Sequence, residues 1–512
     1  MFGARAALEV EPTASELDGS LASVLAEGWP ANLGRMMSIR EGCHHHGACH
    51  ADCMEAPVFA AGATPVSSMS EAVPSGSISR GSAAVLAQQV FTNAGQFVAV
   101  TVLAHALGPS GRGAVAFVVS TSLLVGQVLR LGLTPATTYM IARRPEDAPR
   151  LFSNSLIVAC FSSAIASAVT LSVLILAPSL RPAHVGSVAL LALCMGILGG
   201  DITAVGMAML WGTKRFGTYA ASFITTGWTY AFAMLIAHRI WGLTPASACL
   251  IWGLSRLLDA TSLIGCSLYR TRLGRPDRTL LRSALRFGIR SAAGELATST
   301  NARADQSIMG AISPERELGL YAVAVNAGEV LLYLPNAVGS AIVPNLVETG
   351  YDELEATTLR AFRMVFAVTT VAVVGAAIAG TLLIPLVFGA KFEGSITPFL
   401  LLLPGAWGYA AQKVFSSALT GLGQPGRSSL GPLTALLTGL ALDAVLIPLY
   451  GAQGAAGAAS AAFIAGGIAS LVAFDLAVPF PLRALLPTAA DARTIAGVVS
   501  GYRARRRTSR NR

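Results

Sequence analysis

The chain has 512 residues, of which 53% are hydrophobic and only 12% charged, and its mean hydropathy is +0.61. Soluble domains carry about 25% charged residues, so this composition excludes an ordinary soluble domain and predicts a polytopic membrane protein. The net charge of +9 could suggest nucleic acid as a partner. However, the basic residues lie between apolar runs and at the C-terminus, where membrane proteins place them, so we expect no nucleic-acid binding.

The predicted fold class is all-α. Backbone groups find no water in the bilayer core, so a spanning chain must be helical or a closed barrel, and apolar runs of about 20 residues exclude alternating barrel strands. The seven cysteines form no disulfide framework, because four lie in apolar runs and three in the N-terminal extension.

Residues 1–80 are rich in Gly, Ala, Ser and Pro and contain no spanning run. We expect either a disordered extension or sequence translated from an upstream start. The segment CHHHGACHADC at 43–53 is dense in metal-type ligands, but its spacing fits no common zinc module, so we expect neither a metal site nor a cofactor.

Apolar runs bounded by Gly, Pro and charged residues predict about twelve membrane helices. They lie near residues 83–106, 113–140, 151–177, 186–210, 217–238, 245–269, 284–311, 319–345, 360–388, 395–420, 428–448 and 454–478. Alternate connections carry clusters of Arg and Lys, the largest within 270–282. The positive-inside rule places these clusters and both termini in the cytoplasm.

An internal repeat divides the predicted helices into two halves. Thr-Asn-Ala recurs at 92 and 300, GRGAVA at 111 resembles LGLYAV at 318, and WGLTPASA at 241 resembles YGAQGAAG at 450. Because six helices is an even number, the halves enter the membrane in the same direction as parallel repeats, with a substrate path between them. We therefore predict a first lobe at 81–269, a basic linker at 270–283, a second lobe at 284–478 and a basic cytoplasmic tail at 479–512.

The predicted seventh helix carries an unusual set of charges. Its ionisable residues are Arg286, Arg290, Glu295, Arg303 and Asp305. Such groups are costly in hydrocarbon and usually mark a water-filled site. On a helical wheel, one stripe holds Arg290, Thr298, Asn301 and Asp305, whereas the other side holds Glu295, Ser299 and Arg303. Alternatively, Arg286 and Arg290 could extend to the membrane interface as structural anchors.

Other polar residues in apolar runs are further candidates. Gln89, Asn93 and Gln96 form a stripe on the first helix, which could face substrate or hydrogen-bond another helix. Arg130 and Lys413 would suit phosphate, since guanidinium and ammonium groups bind anions directly in a polar cavity.

Several acidic residues also lie in apolar runs. Asp201 and Glu329 have no local partner and must find one on another helix, in water or on a substrate, and Asp443 is a further candidate. Arg256 and Asp259, three residues apart, could neutralise each other.

Four segments together resemble a known family. They are RADQSIMGAISPERELGLYAVAVNAGEVLLYLPNAVGSAIVPNL (303–346), IPLVFGAKFEGSITPFLLLLPG (384–405), ALTGLGQPG (418–426) and IPLYGAQGAAGAA (447–459). The pattern resembles the polysaccharide-biosynthesis flippases of the multidrug/oligosaccharidyl-lipid/polysaccharide exporter superfamily, over about residues 80–480. The resemblance implies two six-helix lobes in a V, as in the superfamily's multidrug exporters, around a cavity that opens alternately to either face. It also implies that Asp305 matches the family's aspartate, and that Arg130, Arg290, Arg303 or Lys413 supply the cavity's positive charge.

These observations favour a transporter rather than an enzyme. The hypothesis is a flippase that moves a polyprenyl-diphosphate-linked oligosaccharide across the bacterial plasma membrane for surface polysaccharide biosynthesis. A coupling proton or sodium ion would bind at Glu295, Asp305 or Glu329, and a polysaccharide polymerase and glycosyltransferases are possible partners. Alternatives are a multidrug or cation exporter of the same superfamily, a flippase for the peptidoglycan precursor, and a membrane glycosyltransferase or polymerase. Short outward connections disfavour the last.

Overall fold

A computed structural model describes residues 75–486, except residues 131, 292, 334, 337 and 340–350. Side chains at 75–87, 290–291 and 351–353 are likewise outside the description. The Cys- and His-rich segment at 43–53 therefore lies outside the described residues, as do most of the predicted extension and most of the tail.

The described part of the chain is built from helices, which we number in chain order. The first half contains α1 (Ser75–Leu129), α2 (Leu133–Arg143), α3 (Ala148–Leu176), α4 (Ser187–Gly212), α5 (Phe216–Ile240) and α6 (Pro245–Leu268). The second half contains α7 (Arg278–Ser291), α8 (Ala293–Ile312), α9 (Glu315–Gly328), α10 (Tyr351–Phe388), α11 (Ile396–Gly421) and α12 (Leu430–Asp475). Seven helical stretches of the described chain are long and apolar enough to cross a membrane. The predicted all-α, multi-pass fold is confirmed.

Two of the long helices are broken by glycine. Gly108 in α1 has φ 63° and Gly451 in α12 has φ 55°, in the left-handed region that glycine adopts without a steric penalty. Each helix therefore consists of two arms, 75–107 and 109–129 in α1, and 430–450 and 452–475 in α12. These four arms correspond to the predicted first, second, eleventh and twelfth helices.

The predicted second helix, 113–140, is interrupted. α1 ends at Leu129, and α2 begins at Leu133 after Gly132, which has φ 69°. The hydropathy pattern continues through this point, so it could not reveal the break. α10 begins at Tyr351, well before the predicted start at 360.

The backbone repeats between the two halves. α4 and α11 each have 26 residues and end at Gly212 and Gly421. Lys214 and Gly423, each two residues past the helix end, have a positive φ. The next residue with a positive φ is Gly242 in the first half and Gly451 in the second. In each of these pairs, the residue of the second half follows that of the first half by the same number of residues. This constant spacing supports the duplication that the sequence indicates.

Small residues allow close packing within each lobe. A Cβ at Gly95 of α1 would lie 3.2 Å from the carbonyl oxygen of Gly227 in α5. In the second lobe, a Cβ at Gly408 of α11 would lie 2.5 Å from Ile464 of α12. Membrane helices pack through such contacts, because burial from lipid gives little hydrophobic driving force.

The lobes meet where the second arm of α1 crosses α9. A Cβ at Gly113 would lie 1.9 Å from the carbonyl oxygen of Glu315, and a Cβ at Gly319 would lie 1.8 Å from that of Pro109. Neither position has room for a side chain. We call this region, residues 109–117 against 310–319, the closed end.

Candidate substrate and coupling sites

Arg130 and Asp201 form an ion pair inside the first lobe. The Nε atom of Arg130 lies 3.1 Å from Oδ1 of Asp201, and Ser163 of α3 donates a hydrogen bond to Oδ2 at 2.8 Å. The Asp201 side chain is fully buried. Arg130, a predicted substrate-cavity cation, is thus neutralised by α4, and Asp201 finds its partner on another element, as expected. Arg256 and Asp259 pair with each other on α6.

Arg303 and Glu329 also bind each other. Arg303 of α8 lies 3.1 Å from Glu329, at the start of the 3-10 turn after α9, and the two side chains are 28% and 30% exposed. One predicted cavity cation and one predicted ion-coupling acid are therefore joined in a partly exposed pair. A substrate anion would have to compete with Glu329 for the guanidinium.

Asp305 is buried at the centre of the second lobe. It accepts hydrogen bonds from the hydroxyl of Tyr321 on α9 and from the backbone N–H of Gln306, the latter at 2.6 Å. Asp443 of α12 is only 4% exposed, and its charge interacts with that of Asp305. Among the described residues, Oδ1 of Asp443 has no hydrogen-bond partner. The sequence marked Asp443 only as a charge in an apolar run, whereas the structure places it near enough to Asp305 for the two charges to interact.

The α8 stripe expected to line a cavity is divided, because Thr298 lines a cavity within the second lobe whereas Asn301 packs on a neighbouring helix. A Cβ at Gly294 would lie 2.9 Å from Oγ of Ser429, and a Cβ at Gly439 of α12 would lie 2.7 Å from Oδ1 of Asn301. Asn301 thus lies against α12. The side chain of Arg290, another member of the stripe, lies outside the described residues.

The polar stripe of α1 lies beside the face that packs on α5. Gln88 donates to Thr92 at 3.3 Å on the buried side, near the close approach of Gly95 to α5. Gln89 and Gln96 are exposed and Asn93 is half-buried.

A cavity of about 410 Å³, lined mostly by residues with polar side chains, lies in the second lobe. Its described lining consists of Gly294, Glu295, Thr298, Gly339, Tyr409, Gln412, Lys413, Ser416, Ser417, Thr420, Pro425, Ser428, Ser429 and Pro432. It brings together Lys413, predicted to contact substrate, and Glu295, predicted to bind the coupling ion. We call it the second-lobe cavity.

The second-lobe cavity lies far from the closed end. α8 begins beside the cavity, at Gly294, and ends at Ile312, next to the closed end. A helix of 20 residues is about 30 Å long, which equals the thickness of the hydrocarbon core. The cavity and the closed end thus lie near opposite ends of the same membrane-length helix.

Helix α7 is attached to the first lobe, although we predicted that the second lobe begins at residue 284. Asn154 of α3 bonds both the backbone oxygen and the backbone N–H of Asp277, at 2.8 and 3.0 Å. Tyr139 of α2 stacks on Phe287 with ring centroids 4.9 Å apart. Helix α7 therefore packs on the first lobe.

The carboxylate of Asp277 caps α7. Its Oδ1 accepts hydrogen bonds from the backbone N–H and the hydroxyl of Thr279, at 2.8 and 2.6 Å. The Thr279 hydroxyl, followed by the backbone N–H groups of Leu280 and Thr279, lowers the pKa of Asp277 below its ordinary value.

Comparisons with known proteins agree with this architecture. Residues 78–349 match a family described as "Polysaccharide biosynthesis protein". Curated proteins give no match.

Three solved structures share the fold. One is a lipid II flippase MurJ in an inward closed conformation, with TM-score 0.66 and 13% identity over 79% of this chain and 89% of that chain. Another is an inward-facing multidrug resistance MATE family transporter of the MOP superfamily, with TM-score 0.61 and 15% identity over 75% and 93%. A eukaryotic MATE transporter matches with TM-score 0.54 and 16% identity over 82% and 97%. At these identities the likeness establishes the fold alone.

Proposed function

The chain belongs to the family of polysaccharide biosynthesis proteins, and we propose that it flips a polyprenyl-diphosphate-linked oligosaccharide from the cytoplasmic to the outer face of the bacterial plasma membrane. Sugars and diphosphate cannot cross hydrocarbon unaided, whereas the lipid tail never has to leave it. A protein needs only a hydrated path for the head group that opens to one face at a time.

This proposal rests on two features that lie about one membrane thickness apart, the closed end and the second-lobe cavity. Gly113 and Gly319 let the lobes touch at one end, while Lys413 and Glu295 line a cavity toward the other. The cavity lies on the side of the arginine-rich linker, which the positive-inside rule assigns to the cytoplasm. In this orientation both termini are cytoplasmic and the structure corresponds to a loading state.

The coupling ion is proposed to bind between Asp305 and Asp443. Two buried carboxylates that interact repel each other when both are ionised, so binding of a proton or a sodium ion between them would be favourable. Tyr321 links this pair to α9, which forms part of the closed end. Ion binding could therefore alter the contact between the lobes. Glu295 and Glu329 remain secondary candidates.

A multidrug exporter is the alternative, because proteins of that activity share the fold. The lining of the second-lobe cavity favours a sugar substrate over an apolar drug, since no Val, Leu, Ile, Met or Phe occurs among its described lining residues. Known drug-sized pockets are lined mainly by hydrophobic and aromatic groups.

Deletion of the gene tests the proposed function. We expect lipid-linked oligosaccharide to accumulate on the cytoplasmic face and surface polysaccharide to be lost, with both restored by the wild-type chain. Unchanged polysaccharide and unchanged lipid-linked intermediates, together with greater drug sensitivity, would support the exporter instead.

A further inference from the structure

We propose that the second-lobe cavity binds a sugar unit that carries an anionic substituent, and that Lys413 binds the anionic group. This inference rests on the proposed function and adds to it a substrate class and a location. It concerns the saccharide rather than the lipid carrier.

The composition of the wall favours carbohydrate. Ten of its fourteen described lining residues have polar side chains, and the other four are Gly or Pro. Seven of the ten carry a hydroxyl, on Ser, Thr or Tyr, and hydroxyls can both donate and accept hydrogen bonds. Six of the seven hydroxyls already hydrogen-bond groups of the protein, and each of these oxygens keeps a lone pair that can accept a hydrogen bond from a hydroxyl of the ligand. A saccharide can use these acceptors, whereas an acyl chain has no donor to offer them.

The volume also suits a saccharide. At about 410 Å³, the cavity lies within the roughly 300–1,000 Å³ range of small-molecule sites. Part of its lining, Pro425 and Ser428, belongs to the short connection between α11 and α12. By the positive-inside assignment this connection is cytoplasmic, so a head group could enter there while its lipid tail stays in the bilayer.

Lys413 supplies the charge selectivity. Its side chain is half-buried, and it forms no ion pair with any residue in the described part of the chain. A Cβ at Gly339 would lie 2.8 Å from Cγ of Lys413, so the stem of the lysine is held against neighbouring backbone. Arg130 and Arg303, by contrast, are paired with Asp201 and Glu329. An unpaired ammonium in a partly desolvated wall gains most from an anionic oxygen of a ligand.

Glu295 contributes a negative charge to the same cavity. It lies on α8, in another wall than Lys413 of α11, and its carboxylate is exposed. No ion pair joins these two residues. A carboxylate accepts hydrogen bonds from sugar hydroxyls, so the two charges would orient a saccharide whose anionic group points toward α11.

The test is a binding measurement on the full-length protein in lipid nanodiscs. The probes are a disaccharide that contains glucuronic acid, the same disaccharide with glucose in its place, and inorganic diphosphate. We expect the acidic disaccharide to bind about tenfold or more tightly than the neutral one, as for a charge-assisted hydrogen bond. Lys413→Met should remove this difference, whereas Lys413→Arg should keep most of it.

Control variants distinguish loss of the Lys413 charge from misfolding of the protein. Lys391→Met makes the same change at an exposed lysine outside the cavity and should leave both affinities unchanged. Thr298→Val removes a wall hydroxyl and should weaken both disaccharides, while Thr225→Val, at an exposed threonine of α5, should weaken neither.

Three results with the disaccharides would overturn the inference: failure of both to bind the wild type, equal affinities for the two, or an unchanged preference in Lys413→Met. Competition by diphosphate that depends on Lys413 would assign the lysine to the lipid carrier and also overturn it. None of these outcomes affects the gene-deletion result, so the proposed function can stand while this inference fails.

Discussion

His184 and Glu315 join the two lobes at the closed end. Oε1 of Glu315 accepts a hydrogen bond from the backbone N–H of His184 at 2.8 Å, and Oε2 contacts Nδ1 of the imidazole ring. His184 lies in the connection between α3 and α4, whereas Glu315 opens α9. The contact can form only while the lobes are together, so it contributes specifically to the closed arrangement of this end.

Glu315→Ala should loosen the closed end. Spin labels at the half-buried Arg181 and the exposed Arg316 would report the separation of the lobes. We expect their distance distribution to broaden toward longer distances, because two hydrogen bonds worth about 1 kcal/mol each are lost. Glu146→Ala, an exposed change far from α9, is the control. Superimposable distributions for Glu315→Ala and wild type would contradict a closing role.

Gly113→Ala should impair closure more severely. Its Cβ would lie 1.9 Å from a backbone carbonyl, which cannot move as a side chain can. We expect a cost of about 1–3 kcal/mol to the closed state and a marked loss of transport at equal membrane abundance. Gly200→Ala, with no atom within 4 Å of the new Cβ, should behave like wild type. Full transport by Gly113→Ala would show that the two lobes need not touch here.

Asp443→Asn and Asp305→Asn should each uncouple transport from the ion gradient. Removing either carboxylate leaves one negative charge where the proposed site needs two interacting ones. Proteoliposomes with imposed proton or sodium gradients would measure this, and each variant should lose most of the gradient-driven rate. Asp147→Asn, outside the second lobe, provides the control. Gradient dependence retained in both variants would remove the pair from the mechanism.

Asp201→Asn should destabilise the first lobe. It leaves the Arg130 guanidinium without its partner, which costs about 3–5 kcal/mol in a fully buried pair and less here, because Arg130 is 24% exposed. Thermal unfolding in detergent should show a clear fall in Tm. The double variant Arg130→Met/Asp201→Leu should recover much of it, since an apolar pair leaves no unpaired charge. Equal Tm values for Asp201→Asn and wild type would mean that water already satisfies Arg130.

The cap of α7 should depend on pH. Folding lowers the pKa of Asp277, so its contribution is present above the ordinary aspartate pKa and is lost as pH falls through the lowered value. Amide hydrogen exchange, corrected for its intrinsic pH dependence, should show loss of protection in the first turn of α7 below the ordinary aspartate range. Asp277→Asn should lack this transition. The same pH profile in both proteins would exclude the cap as its source.

Much of the fold could be predicted from the sequence, because membrane helices are marked by length and hydropathy. The repeat reappears in the equal lengths of α4 and α11 and in the paired breaks at Gly242 and Gly451. The break at Gly132 was missed, since one glycine within an apolar run does not by itself end a helix.

The site was harder to predict. A helical wheel shows that Asn301 and Asp305 share a face, but it cannot show that Asn301 meets α12. No motif marks Asp443, and its only signal was an isolated carboxylate in an apolar run. The partner of Arg130 could not be identified either, because pairing between distant helices depends on tertiary packing.

The most direct test of the central claim is flipping by purified protein. Proteoliposomes would contain fluorescent polyprenyl-diphosphate-linked oligosaccharide, and an impermeant glycosidase or lectin would report its exposure on each leaflet. We predict movement between leaflets that depends on the protein and that falls markedly in Gly113→Ala. Movement no faster than in protein-free liposomes, from a preparation shown to be folded, would contradict the account.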